Sequence, residues 1–279
     1  MTRLERRLFV DRIWRMVASA LAVMAIVLLA WILWTVVWRG ASALSLSVFT
    51  APTLPPGRGG GLANTIVGSL IQVAIGLAVA TPVGLLAGTW LAEIGRGRLA
   101  DAVRFVNDVL LSAPSILIGL FVYELLVKPF GGFSGFAGSL ALAVLILPVV
   151  VRATEDMLRL VPGSLREAAF ALGASRREVV TQVLWRAARA GIGTGVLLAV
   201  ARAAGETAPL LFTSLGNLGW SFDMTKPMAS LPVAIYQYAA SPFDEWVALA
   251  WAGALVITVG VLTLNILSRV VLAPRGKAS

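Results

Sequence analysis

An arginine and a glutamate stand four residues apart in the stretch "ARAAGETAPLLF", which runs from Ala201 to Phe212 in one of the most apolar regions of an apolar chain. On a helix, Arg202 and Glu206 at that spacing share one face and can pair. A charge at the centre of a bilayer costs about 2.5–3.5 kcal/mol on insertion scales, so ionisable residues there face a cavity or a partner. The guanidinium fork binds phosphate or sulfate bidentately and does not titrate away. The pair therefore suits an oxyanion, with Glu206 keeping it from being held too tightly. Pro209, a turn beyond Glu206, and Thr207 before it predict a kink or break near the middle of the membrane, where transporters place substrate sites. Arg202, Glu206 and Thr207 are the candidate pathway residues. A second reading stays open, in which the pair only locks helices or Arg202 meets a carboxylate of another subunit.

The rest of the composition narrows the chemistry. Over 279 residues, 58% are hydrophobic and 13% charged, with a mean hydropathy of +0.88. That is a membrane composition. Cysteine and histidine are absent, which excludes disulfides, thiol nucleophiles, histidine metal sites and a Ser-His-Asp triad. No catalytic residue and no metal ligand set is assigned. The net charge of +9 reads as arginines gathered on the cytoplasmic side of a membrane, not as a nucleic-acid surface.

The elements that must position the pair are apolar stretches of roughly 20 residues, each long enough to cross a bilayer as a helix. They are expected at 16–38, 65–93, 105–127, 136–151, 191–213 and 246–272. The first is too long for a secretory h-region and reads as an uncleaved anchor. With the N-terminal segment 1–15 inside, Arg3, Arg6, Arg7, Arg12 and Arg15 fall on the same side as Arg96, Arg98 and Arg104. The arginines from Arg152 to Arg189, and Arg269, Arg275 and Lys277 near the C-terminus, join them. The opposite loops hold only Arg39, Arg58, Lys128 and Lys226. The alternation predicts both termini, including the tail 273–279, in the cytoplasm. Arg202 alone belongs to neither side.

Other motifs read as architecture. The segment 39–64 is a flexible outer loop; its "PPGRGGG" lacks the Gly-Lys-Ser/Thr of a phosphate loop, and no Walker motif occurs elsewhere. Gly84 with Gly88, and Gly191 with Gly195, form G-x-x-x-G spacings for close helix packing. Trp31, Trp34, Trp38, Trp246 and Trp251 suit membrane interfaces. Pro82, Pro114 and Pro148 are expected to interrupt spans two, three and four and to mark a bundle with a polar interior. Glu124 is expected to snorkel or to meet Lys128.

Between spans four and five lies "LVPGSLREAAFALGASRREVVTQVLWRAARAG", about half polar. Ser164 with Glu167 and Ser175 with Glu178 are capping boxes on paper, predicting two short helices. Gly173 between them is free to turn left-handed. Such an elbow, about 162–190, needs a partner or lipid to lie against, and "EAAFALG" offers a small Ala-rich face; an interfacial helix on anionic lipid is the alternative.

"SLREAAFALGAS" resembles the EAA loop of ABC importer permeases. "ARAAGETAPLLFT", with "MASLPVAIYQYAASPFDEWVALAWAGALVITVGVLTLNIL", resembles the phosphate-specific transport family, and its A-type permeases in particular. The likeness runs from about Leu62 onward, and the stretch around Arg202 is its more specific part. Ser164, Glu167, Ala168, Ala169 and Gly173 fall on the EAA-loop pattern as the candidate ATPase-coupling residues. The pattern's later Ile-x-Leu-Pro is here Val183-Leu184-Trp185-Arg186, a departure in its last two residues.

The resemblance implies an all-α, polytopic fold of six transmembrane helices, the type I ABC importer permease fold, with the permease domain spanning 65–272. It implies a phosphate importer of a bacterial inner membrane, with a paralogous C-type permease, a dimer of ATPase subunits and an extracytoplasmic phosphate-binding protein as partners. ATP and Mg would be bound by the ATPases, with no cofactor in this chain. A permease for sulfate or molybdate shares every physical feature above. An ion-coupled transporter or channel does not need a docking elbow.

Overall fold

The computed structural model describes residues 3–272; the expected tail 273–279, with Arg275 and Lys277, lies outside the described residues. In chain order the helices are α1 (Arg3–Ala43), α2 (Leu46–Thr50), α3 (Ala63–Glu93), α4 (Gly97–Ser112), α5 (Ser115–Val122), α6 (Gly135–Arg159), α7 (Gly163–Ala171), α8 (Arg176–Glu178), α9 (Trp185–Ala204), α10 (Ala208–Thr213), α11 (Leu231–Ala239) and α12 (Asp244–Leu272). Two π-helical segments join neighbours: Tyr123–Val127 extends α5, and Val179–Leu184 links α8 to α9. Among the described residues, five stretches are long and apolar enough to cross a membrane, or six when the bent pair α4–α5 counts as one.

The centre of the fold is α6, the most buried of these stretches. Two helices press on it through glycines. On α3, a Cβ at Gly84 would stand 2.8 Å from the Val150 side chain, and one at Gly88 would stand 2.6 Å from the Val151 carbonyl. On α9, Gly191 faces Met157 and Gly195 faces Ala153. Both G-x-x-x-G spacings therefore serve α6, where close backbone approach replaces the hydrophobic drive that lipid does not supply. The resulting core joins Ala80, Leu142, Ile146, Val150, Ala199 and Leu210.

The third span differs from its expected form. Instead of one helix over 105–127, the chain bends by 107° between α4 and α5. Pro114 disfavours helical geometry at the residue before it, and Ala113 sits at φ −65°, ψ 134°. The two other prolines do not interrupt: Pro82 and Pro148 lie inside continuous helices. The Pro148 carbonyl accepts a hydrogen bond from Asn107 Nδ2 at 3.3 Å; an apolar cluster surrounds it, and buried Gln72, Ser139, Thr154 and Glu155 give α3 and α6 polar groups inside the bundle.

At one end of the bundle α1 and α12 pair. A Cβ at Gly40 would meet the Leu255 Cβ at 2.6 Å, and Arg39 lies 5.2 Å from the centre of the Trp251 ring, a cation–π contact. Trp246 packs on Tyr238 with ring centres 4.8 Å apart and donates to the Leu54 carbonyl at 3.2 Å. Lys128 meets Glu124 at 2.8 Å. The helix α1 is continuous from Arg3, with no break between the expected segment 1–15 and the span. At 1.5 Å per residue it is about 60 Å long, roughly twice a hydrocarbon core.

Candidate functional site

The chain leaves helical geometry between α9 and α10, at residues 205–207. Pro209 occupies the first turn of α10, where its missing N–H leaves nothing unpaired. Its Cα would lie 2.7 Å from a Cβ at Gly119, so α5 and α10 touch backbone to backbone at the break. Gly119 had no sequence signal of its own, since its partner lies on another helix.

Arg202 falls in the last turn of α9, and its Nε stands 3.6 Å from Glu206 Oε1. The pair is loose, beyond hydrogen-bond length. Ala199 and Ala203, on the neighbouring face, are buried in the core, which turns Arg202 outward: its side chain is 43% exposed against 15% for Glu206. A cation at a helix C-terminus is favoured by the partial negative charge of the last carbonyls. Thr207 turns another way and walls, with Ala201, Gly205, Pro232 and Thr258, a groove of about 570 Å³. The break thus brings Arg202 and Glu206 together and sets Thr207 on an adjoining groove.

The elbow stands at the far end of α9. Gly173 takes φ +83°; its N–H donates to Phe170 at 2.9 Å and the Ala174 N–H to Ala169 at 3.1 Å, the paired bonds of a Schellman motif that ends α7. Ser175 and Glu178 form the expected capping box. Hydrogen bonds from Ser175, its hydroxyl first and then its N–H, hold the Glu178 carboxyl below its ordinary range.

Three elbow expectations are corrected. Ser164 does not cap: α7 begins at Gly163 with the extended Pro162 as its cap residue, so Ser164 already lies inside the first turn. The second short helix is not separate, because α8 runs on without a break as the start of one 29-residue stretch, Arg176–Ala204. Arg186, where the EAA pattern has proline, lets that helix continue, and Trp185 donates from Nε1 to Thr89 Oγ1 at 3.1 Å. Ala169 packs into the elbow's own core with Leu158, Val179 and Leu184, so the open surface of α7 includes Leu165, Glu167, Ala168 and Phe170, with the 89% exposed Leu172 beyond it. It is more apolar than an alanine stripe.

A second charged cluster had no signature in the sequence. Glu155 of α6, only 3% exposed, accepts from Arg104 Nε at 2.8 Å and meets Arg159 at 2.7 Å. Arg104 Nη2 also donates to the Leu91 carbonyl at 3.0 Å, tying α4 to α3 and α6. Only the fold brings residues 51 apart into contact.

Comparison with known proteins places this geometry. Residues 80–275 match the family described as binding-protein-dependent transport system inner membrane component. The phosphate transport system permease protein PstA of Pasteurella multocida is 54% identical over 250 residues, covering 89% of each chain. Its counterpart from Haemophilus influenzae is 57% identical over 242 residues, covering 86% of each. Among solved structures, the fold is similar to a chain of a bacterial alginate ABC transporter crystallised with its alginate-bound periplasmic protein, with a TM-score of 0.65 at 14% identity over 95% of this chain and 97% of that one. It is also similar to an inward-facing methionine ABC transporter, MetNI, with a TM-score of 0.59 at 18% identity over 76% and 93%. Family and relatives make this a multi-pass inner-membrane permease component of a binding-protein-dependent transport system, and its fold is that of ABC transporter permeases. The chain belongs to the binding-protein-dependent transport system inner membrane components, on the branch of the phosphate transport system permease proteins PstA.

Proposed function

We propose that this chain forms half of an ATP-driven pathway for inorganic phosphate across a bacterial inner membrane. The observation that carries the reading is the identity above one half, over most of their length, to proteins named for phosphate transport. The sequence features that sulfate and molybdate carriers would share do not favour those anions over phosphate.

In this reading the other half of the pathway is a paralogous permease of the C-type. Two ATPase subunits, which bind the ATP and Mg, lie against the elbows, and an extracytoplasmic phosphate-binding protein delivers the anion at the opposite end. Both termini face the cytoplasm, as the arginine distribution predicts. Ser164, Glu167, Ala168, Ala169 and Gly173 belong to the coupling elbow. Glu167 and Ala168 lie on its docking face, Ala169 and Gly173 shape it, and exposed Phe170 and Leu172 enter the partner's groove.

Arg202 supplies the charge for the anion. Its loose contact with Glu206 leaves guanidinium donors free to turn to a phosphate, and Glu206 recaptures the arginine when the anion leaves. This exchange keeps the anion moving, because an arginine with no competing carboxylate would hold it too tightly to release it. The non-helical residues 205–207 let the two ends of the span move independently. Thr207 offers a hydroxyl from the adjoining groove.

The experiment is uptake of labelled phosphate at micromolar supply by cells carrying the complete transporter, challenged with sulfate and molybdate. Uptake unaffected by either competitor supports the assignment. Competition by one of them moves the substrate to that anion, and uptake that persists without the ATPase subunits contradicts an ABC importer.

A further inference from the structure

Arg166 sits one residue before Glu167 in the elbow, yet its side chain points away from the docking face and into the membrane bundle. Its Nη1 donates to the Val161 carbonyl at 2.6 Å and its Nη2 to the Leu158 carbonyl at 2.8 Å. The same Nη2 meets Glu93 Oε1, on the last residue of α3, at 2.7 Å. Arg176, which opens the following helix, donates from Nη2 to the Glu93 backbone carbonyl at 2.6 Å. The end of α3 is therefore gripped from both halves of the elbow, and the end of α6 from one.

Apolar packing supplies only part of this link, through Leu85 and Ala92 of α3 at the edge of the elbow core. Ala169 is the one buried residue of α7, and the small elbow core reaches α6 and α9 far more than the tip of α3. The grip on Glu93 is polar, and it is partly shielded: the Arg166 and Glu93 side chains are 22% and 13% exposed, so their attraction is weakened less by water than that of an open surface pair. Leu158 is among the last carbonyls of α6; it also accepts from the Val161 N–H at 3.3 Å, so the guanidinium adds a second donor at the helix end. A planar fork can hold two carbonyls and a carboxylate at once; an ammonium has no such geometry.

We propose that Arg166 is a positioning residue that carries a displacement of the elbow into α3 and α6 together, so that ATPase closure moves the two glycine-packed helices as one body. The inference rests on the reading of the elbow as the ATPase dock. Without the fork, only the Arg176 bond to the Glu93 carbonyl and the Trp185 bond to Thr89 remain as polar ties to α3, and an elbow displacement reaches α3 less fully.

The test uses the complete transporter, reconstituted with its ATPase subunits, partner permease and phosphate-binding protein, carrying Arg166→Gln, Arg166→Lys or Glu93→Gln. Measured together are co-purification of the ATPase, hydrolysis with and without phosphate-loaded binding protein, and phosphate moved per ATP. Arg166→Gln is expected to keep the ATPase bound and hydrolysing while phosphate per ATP falls about fivefold or more, the low end of coupling between distant sites. Arg166→Lys should recover part of the loss through its charge, and Glu93→Gln should show a smaller loss of the same kind. Unchanged phosphate per ATP in Arg166→Gln overturns the proposal, and so does loss of ATPase binding, which would assign Arg166 to the dock itself. If Arg166→Gln does not assemble, Glu93→Gln decides by the same two readouts. Failure of the native complex to move phosphate at all would instead strike the functional reading and is seen before any variant is compared.

Discussion

Arg202 and Glu206 face each other across the last turn of α9 at 3.6 Å, with the arginine the more exposed partner. A contact that long leaves guanidinium donors unspent, which suits an arginine that changes partners during a cycle. Glu206→Gln removes the competitor and keeps the shape. It is expected to lower KM for phosphate uptake and to lower the maximal rate with it, because tighter holding of the anion slows release. A higher KM at an unchanged rate would contradict a balancing role.

Gly119 lies against the Pro209 backbone, so the break depends on a missing side chain. Gly119→Val must push α10 away from α5, as the neighbour is backbone and has no rotamer to yield. Overpacking of this kind costs about 1–3 kcal/mol. A lower melting temperature together with loss of uptake is expected, and near-native uptake with unchanged stability would show that the contact does not constrain the break.

The buried Glu155 joins Arg104 and Arg159. Glu155→Ala leaves both arginines without their partner, and hydrogen bonds to charged groups contribute about 1.5–3 kcal/mol. Both arginines keep access to water, so the lower part of that range is expected as a loss of thermal stability in detergent. No measurable change would mean that α4 is held by its other contacts, among them Arg104 to the Leu91 carbonyl and Asn107 to the Pro148 carbonyl.

The Glu178 carboxyl, exposed at the elbow, is held below its ordinary value of 4.5 by Ser175. A carboxyl depressed in the folded state stabilises it fully above pH 4.5, and that contribution disappears as the pH falls through the lower folded value. The chain has no cysteine, so a spin label on Arg177→Cys reports the elbow alone. Its mobility should stay constant at neutral pH and rise only under acid, whereas Glu178→Gln should raise it at neutral pH. A label equally immobile in Glu178→Gln would remove the capping box from the account.

Much of this was legible in the sequence, for reasons that particular residues make plain. Most span positions follow from apolar length, although the fifth stretch begins at Arg176 and ends at Ala204; close helix packing follows from the spacing of Gly84 with Gly88 and Gly191 with Gly195, but not that α6 is the shared partner. The break beside Arg202 follows from Pro209, and the left-handed turn from Gly173. Ser164 misled because a Ser-x-x-Glu spacing does not say which residue is the cap; Pro162 set the helix start two residues earlier. Pro82 and Pro148 misled because neighbouring helices support a proline-bearing helix as readily as they end one. The pairs Arg104 with Glu155 and Arg166 with Glu93 were out of reach, being 51 and 73 residues apart with no periodicity to join them.

The most direct measurement is phosphate uptake by the complete transporter carrying Arg202→Gln, with assembly verified by co-purification of all subunits. A hydrogen bond to a charged group contributes about 1.5–3 kcal/mol, and Arg202 is partly exposed, so from the lower end of that range uptake should fall roughly tenfold or further while the complex stays intact. Uptake at the native rate from an intact complex would make Arg202 a structural charge and would contradict its place on the phosphate route.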